Sequence, residues 1–420
     1  MMAESRHYRA LSVETLPDRL GGVAEIASKI GGDASSWKVR EVGDGNLNLV
    51  FIVAGASRKV IVKQALPFVR LVGESWPLPL YRAFHEHNAL VRQAVRAPGS
   101  VPEVLHYDEP QAMIVMEFLE RHVVLRRKLI NGERVAGLAS FVGKFCARTA
   151  FRGSELSMKS ADKKADVGLF SGNVELPAIT EALVFTDPYH DAEMNNHTAG
   201  LDPVVARLRG DAKLKTKAQR MLQRFASNTE TMMHGDLHSG SIMSTATRSR
   251  AIDPEFAQYG PMGFDIGMLV ANFLMAYFSQ PAHRGEDASS YQEWILDVVE
   301  ESCAVFESEF RRLWATERSG MLYPRALFED QGHDSMPACE AVLAGIWRDA
   351  WSTCGIEMHR RCLTLAHNAD FEEIEDVALR ARLEARNLMM GAALVHADGD
   401  VAGGAGVCEI ARSFNERDFL

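Results

Sequence analysis

The chain has 420 residues, 47% hydrophobic and 24% charged, and 46 Lys and Arg against 56 Asp and Glu give a net charge of −10. This is the balance of a globular protein with a full core, and it excludes disorder, collagen and coiled coil as global descriptions; the length fits two or three domains, or one large two-lobed domain. The negative charge argues against nucleic acid as the main partner, because phosphate backbones demand clustered Lys and Arg.

In chain order, Trp37 to Val42 largely alternates, Gly43-Asp44-Gly45-Asn46 has turn chemistry, and Leu47 to Val53 and Lys59 to Lys63 are rich in β-branched residues. These read as antiparallel strands. Tyr81 to Val95 carries Tyr81, Phe84, Leu90 and Val91 at helical spacing, and two further strands are expected at Val104 to Asp108 and Met113 to Glu117. From Glu120 onward helix dominates, with 3.6-type apolar spacing over Gly137 to Phe151, Asp211 to Asn228, Gly263 to Phe278, Ser290 to Arg318, Cys339 to His367 and Phe371 to Leu394. One β island, Thr231 to Glu255, interrupts the helices. The Gly-rich stretch Ala402 to Gly406 reads as a flexible connector. The fold class is therefore α+β, with a small antiparallel-sheet lobe over 1–118 and a mainly helical lobe over 119–420.

The six cysteines show no C-x-x-C spacing and read as reduced, mostly buried thiols. Met1 to Leu16 is charged and carries no apolar signal segment. The longest greasy run, Gly267 to Phe278, is interrupted by Asn272 and too short to span a bilayer. A cytoplasmic protein with no membrane partner is the expectation.

The string with most chemical content is His234-Gly235-Asp236-Leu237-His238-Ser239-Gly240-Ser241, followed by Ala251-Ile252-Asp253-Pro254-Glu255. Ile242 to Ser244 and Arg250 to Ile252 read as two strands of a hairpin that would bring Asp236 and Asp253 to one end. Phosphoryl transfer needs such a pair, one carboxylate at the acceptor hydroxyl and another on Mg²⁺. If the strand continued across Pro254, Glu255 would share a face with Asp253. Either tripeptide alone is ordinary turn chemistry; the joint spacing carries the signal. His234 and His238 are expected to hold the loop by hydrogen bonds rather than to bind zinc, because Gly235 opposes a helix. The Gly43 to Asn48 turn has glycines that would let backbone N–H groups approach phosphate, although a plain β-turn looks the same. Lys63 ends a strand where its ammonium would reach phosphates, unless it is a solvated edge charge, and Glu86 on the next helix is its candidate partner. Arg360 and Arg361 follow Trp347 and Trp351, a setting in which an Arg holds sugar hydroxyls or offsets charge on the transferred group.

These residues resemble a known family. The string from His234 to Ser241, then Asp253-Pro254-Glu255-Phe256 running to Gly267, is similar to the 5-methylthioribose kinases. The turn at 43–48, the strand ending at Lys63 and the Arg360–Arg361 segment match in the same order, from about residue 40 to about 370. Choline and aminoglycoside kinases carry an Asn where this chain has Ser241, and Glu255 offers a replacement metal oxygen. Leu363-Thr364-Leu365 departs from the family's usual Val-Gly-Leu.

The resemblance implies a protein-kinase-like fold, a homodimer, and ATP- and Mg²⁺-dependent phosphorylation of the 1-hydroxyl of 5-methylthioribose in methionine salvage. It also implies that Asn46 and Lys63 contact ATP phosphates, that Glu117, Phe118 and Leu119 form the adenine hinge, and that Asp236 is the base or orienting group. Asp253, Pro254 and Glu255 would form the Mg²⁺-ATP segment, with Asp253 and Glu255 on the metal, and Arg360 or Arg361 would contact the sugar. The rivals are a choline, homoserine or aminoglycoside kinase, which would want an acidic, aromatic pocket, and a pseudokinase, which would be expected to lose one of these charged groups.

Overall fold

The computed structural model describes residues 8–43, 47–70 and 73–420. Its contacts divide the chain into two compact units, Met1–Arg121 with Ile252–Phe256, and His122–Ala251 with Ala257–Leu420.

In the first unit, helices α1 (Leu16–Gly21) and α2 (Ala24–Ile30) precede strands β1 (Lys38–Glu41), β2 (Asn48–Ala54) and β3 (Lys59–Ala65). A short pair, β4 (Phe68–Val69) and β5 (Gly73–Pro77), leads into α3 (Arg82–Arg96), and β6 (Val104–Asp108) and β7 (Met113–Glu117) complete the sheet. Five strands pair antiparallel in the order β1-β2-β3-β7-β6. Phe51, Val53, Val60, Val62 and Val115 pack with Leu16, Leu20, Ile26 and Ile30 into one core. Side chains alternate along a strand, so burying Val62 in that core turns Lys63, opposite Val50 and Ile114, to the other face.

The expected helix near 81–95 is present as α3, but it does not bury the expected stripe. Val91 is 41% exposed, and Arg82, His85, Glu86, Ala89, Leu90 and Gln93 are inside. Buried charges such as Arg82 and Glu86 share the inner face of this helix with Ala83, Ala89 and Leu90.

The second unit is mostly helical. Strand β8 (Val123–Val124) and helices α4 (Leu125–Asn131), α5 (Leu138–Arg152), α6 (Ser160–Phe170), α7 (Glu175–Leu183), α8 (Asp202–Gly210) and α9 (Ala212–Ser227) come first. Strands β9 (Thr231–Met232), β10 (Ile242–Ser244), β11 (Ser249–Ala251) and β12 (Tyr259–Gly260) form the β island. Then come α10 (Phe264–Arg284), α11 (Ala288–Glu317), α12 (Met336–Leu363), α13 (Ala369–Glu372), α14 (Val377–Ala397) and α15 (Gly403–Asn415). Helix α10 is buried on all sides from Ile266 to Gln280, as a helix must be when neighbours cover its whole circumference; α11, α12 and α14 pack on it. Among the described residues no helix is long and apolar enough to cross a membrane. All six cysteines are free and buried.

Several expectations are corrected. The helix expected to run to His367 stops at Leu363, where Thr364 is extended and Ala366 takes a left-handed φ of 61°. The helix expected from Phe371 is two, α13 and α14, separated where Asp376 caps the second by accepting from Ala378 N and Leu379 N. The second hairpin strand is Ser249–Ala251, one residue earlier than expected, with Ile242 opposite Ala251. It does not continue across Pro254, because Asp253 adopts a left-handed φ of 70°.

The Gly-rich stretch expected to be a connector begins α15. A Cβ on Gly404 would lie 2.9 Å from Cys303 Cβ and 3.0 Å from Glu300 Cα, so glycine there lets α15 lie close on α11. Gly404→Val should lower the unfolding free energy by ~1–3 kcal/mol through overpacking. Urea unfolding of variant and parent measures it, and equal midpoints would mean the contact is not tight.

Candidate active site

The first unit gathers five charges. Lys63, 8% exposed, donates to Glu86 Oε1 at 2.9 Å and also to Asp253. Burial works against its charge, but the carboxylates of Asp253, Glu255 and Glu86 outweigh burial and hold its pKa above the ordinary lysine value. Glu255 accepts from Asn48 Nδ2 at 3.0 Å and lies 3.6 Å from Arg82 Nε. Arg82 also donates to Leu47 O, Leu66 O and Asn48 Oδ1, tying the start of β2 to the loop after β3. Glu86, Asp253 and Glu255 each place an oxygen within 4.8 Å of the others. Three carboxylates thus face two cations. Burial foremost, then the neighbouring Asp253 and Glu255 charges, push Glu86 up to about 8 against the pull of Lys63, and Glu255 is raised as well, mainly by burial. A cluster of hard oxygen donors of this kind fits a Mg²⁺ ion.

The second unit builds a different site. Gly235 has φ 85°, a turn that glycine adopts without strain. The backbone N–H groups of His234 and Gly235 donate to the Asp265 carboxylate at 2.7 and 3.1 Å, from the first turn of α10. The loop so held presents Asp236. Its Oδ1 accepts from Arg361 Nη2 at 3.2 Å, and its Oδ2 lies 3.3 Å from His238 Nε2. Arg361, 5% exposed, is fixed in turn by Glu357 Oε1 at 2.5 Å, one helical turn earlier on α12. Burial would raise the Asp236 carboxyl, but His238, Arg361 and Arg360 outweigh it and hold it well below the usual carboxylate range. Burial pushes His238 down to about 4 against the pull of Asp236, and Arg361 and Arg126 reinforce burial. It is therefore neutral at pH 7, with its Nε2 facing Asp236 Oδ2.

The profile of the phosphotransferase enzyme family matches residues 38–300. The chain is 41% identical to a methylthioribose kinase of Escherichia coli O45:K1, over 92% of this chain and 94% of that protein. It is 37% identical to methylthioribose kinase 1 of Oryza sativa subsp. japonica, over 92% and 91%, and 41% identical to a methylthioribose kinase of Yersinia pseudotuberculosis serotype O:1b, over 86% and 88%. The chain belongs to the methylthioribose kinase family.

Within this family member, the residues singled out in the sequence fall as follows. Lys63 and Glu86 pair as expected. Asp253 and Glu255 do come together with them, but not by sharing a strand face; Lys63 holds one and Asn48 with Arg82 the other. Pro254 between them is buried. Asn46 lies outside the described residues. Glu117 ends β7 opposite Val60 and Leu119 is buried. Phe118, with Lys59 Nζ 5.1 Å from its ring centre, lines a cleft of about 290 Å³ with Ile52 and Ala54. Of the two arginines, Arg361 bonds Asp236, whereas Arg360 donates to Ala366 O at 3.3 Å. Ser241 Oγ donates to Asp236 O at 2.8 Å, and both histidines serve the loop: Asp236 N lies 3.4 Å from His234 Nδ1, and His238 Nδ1 accepts from Gly240 N at 2.9 Å. Sequence reasoning missed Arg82 in the cluster of the first unit, and Arg126, Asp265, Asn272 and Asp370 around the Asp236 loop of the second. Only Asp265 had a signal, its place in the string ending at Gly267.

The Arg360–Arg361 turn is anchored by buried His359, whose Nε2 donates to Leu388 O and whose Nδ1 accepts from Tyr189 OH, both at 2.9 Å. Burial pushes His359 down to about 4. The unfolded chain therefore binds the extra proton first, so the stability tied to this group is complete above about pH 6.5 and lost as pH falls through about 4. His359→Gln should remove ~2–3 kcal/mol of the stability the parent loses between about pH 7 and 4.5. Urea unfolding at both pH values tests this, and parallel losses in the two proteins would refute it.

Proposed function

We propose that this chain transfers the γ-phosphoryl group of ATP to the 1-hydroxyl of 5-methylthioribose, forming 5-methylthioribose 1-phosphate in methionine salvage. The observation that carries the reading is the match to methylthioribose kinases over 92% of the chain, long enough to include both the Asp236 loop and the Arg360–Arg361 turn. The geometry supports a role for each group. Asp236, ionised and of low basicity, accepts a hydrogen bond from the attacking hydroxyl and orients it, which is what a loose phosphoryl-transfer transition state asks of a carboxylate. Lys63, held by Glu86, meets the nucleotide phosphates, and Arg360 or Arg361 holds the sugar. The Phe118 cleft, with apolar Ile52 and Ala54, suits a purine base beside the hinge at Glu117 to Leu119. Asp253 and Glu255 are the residues that would hold Mg²⁺, which when bound offsets phosphate charge. A cytoplasmic homodimer belongs to the same proposal and rests on the family resemblance; sedimentation equilibrium tests the dimer.

ADP release measured with methylthioribose, ribose, choline, homoserine and kanamycin should show turnover with methylthioribose. Activity confined to choline, homoserine or kanamycin would overturn the substrate, and activity with none would favour a pseudokinase. Asp236→Asn should lower kcat by ~10²–10⁴ with ATP binding retained. Asp253→Ala should weaken Mg²⁺-dependent nucleotide binding in calorimetry, and an unchanged affinity would contradict its role.

A further inference from the structure

We infer that His238 is a positioning residue for Asp236, locked by its loop and by Arg126 as the neutral tautomer that carries its proton on Nε2. The geometry is specific about which nitrogen is protonated. His238 Nδ1 accepts from Gly240 N at 2.9 Å and Ser241 N at 3.1 Å, and Arg126 Nη2 lies 3.3 Å from it. Backbone amides and a guanidinium can only donate, so Nδ1 is an acceptor and carries no proton. The ring proton is then on Nε2, 3.3 Å from Asp236 Oδ2.

Arg126 is itself fixed, donating to Ser239 Oγ at 3.1 Å and Asn272 Oδ1 at 3.0 Å, and lying 3.5 Å from Oδ2 of fully buried Asp370. Gly240 has room for nothing more, since a Cβ there would be 2.6 Å from His238 Cε1 and 3.2 Å from Arg126 Nη1. The result is an alternating row: Asp370, Arg126, His238, Asp236, Arg361, Glu357. A neutral donor in its middle fixes Asp236 Oδ2 without a further positive charge. An imidazolium there would bind Asp236 more tightly and depress its basicity further.

The inference rests on the reading of Asp236 as the orienting group, so the experiment separates the two. Two-bond ¹⁵N–¹H correlation spectra of histidine-labelled enzyme at neutral pH should show His238 neutral, with Nε2 protonated; an imidazolium or an Nδ1–H tautomer would overturn the inference, whatever Asp236 does. In Arg126→Met the same signal should move towards protonation, and an unchanged signal would remove Arg126 from the lock. His238→Asn keeps an acceptor for Gly240 N and Ser241 N but cannot reach Asp236. It should lose ~10–100-fold in kcat, with KM for ATP within about twofold and an unchanged Tm. His238→Gln, which extends an amide N–H towards Asp236, should recover part of that loss. If His238→Asn kept kcat within about threefold of the parent, His238 would be a loop cap only. Asp236→Asn run alongside reports separately on the orienting role.

Discussion

The ion pair between Asp236 and Arg361 is the constraint around which the second unit is arranged. Arg361 is buried and Asp236 partly so, and withdrawing charge from water costs more than a bare pair returns. The protein meets that cost by extending the pair into a row in which every charge has an opposite or a hydrogen-bonding neighbour, with Glu357 behind Arg361 and His238 behind Asp236. Removing one member of such a row strands its neighbour, which is why a buried charge that looks redundant in sequence is held in structure by ~3–5 kcal/mol.

The charge cluster of the first unit follows the opposite rule. Glu86, Asp253 and Glu255 gather around Lys63 and Arg82, and burial foremost, then the neighbouring carboxylates, pushes the Glu86 carboxyl up to about 8. Glu86, Asp253 and Glu255 set carboxylate oxygens within 4.8 Å of one another, and such hard donors suit a hard cation. One unit therefore holds its key carboxylate ionised with the protein's own cations, whereas in the other burial raises the Glu86 and Glu255 carboxyls.

How far this was legible in the sequence depends on the type of signal each element carries. Val104 to Asp108 and Met113 to Glu117 were readable to the residue because two short, largely apolar runs flank the turn Glu109-Pro110-Gln111. Helix α6 was invisible because it buries only Lys163 and Phe170, too little for a stripe. Gly403 to Gly406 misled because close helix packing and a flexible linker both use glycine, and only the contact with Cys303 tells them apart. The pairing of Lys63 with Glu86 could be anticipated, since one strand and the following helix offer few partners. The grouping of Asp253 with Glu255 was right for a wrong reason: a strand period was invoked, and a left-handed turn with separate partners does the work instead. Arg126, Asn272 and Asp370 had no local pattern at all, because each is defined by partners far away in sequence.

Asn272 shows what such a residue is for. In sequence it merely interrupts the greasiest run of the chain. In the fold it sits seven residues after Asp265 on α10, two helical turns on and so on the same face. Asp265 receives the His234 and Gly235 amides, and Asn272 receives Arg126 while its own amide donates to Met268 O. Ser239 Oγ lies 3.3 Å from the same Asn272 oxygen. The loop carrying Asp236 is thus pinned at both ends to one stripe of the most deeply buried helix of its unit. A fully apolar α10 would offer the loop no such partners; the two polar residues cost burial and hold the loop that presents Asp236.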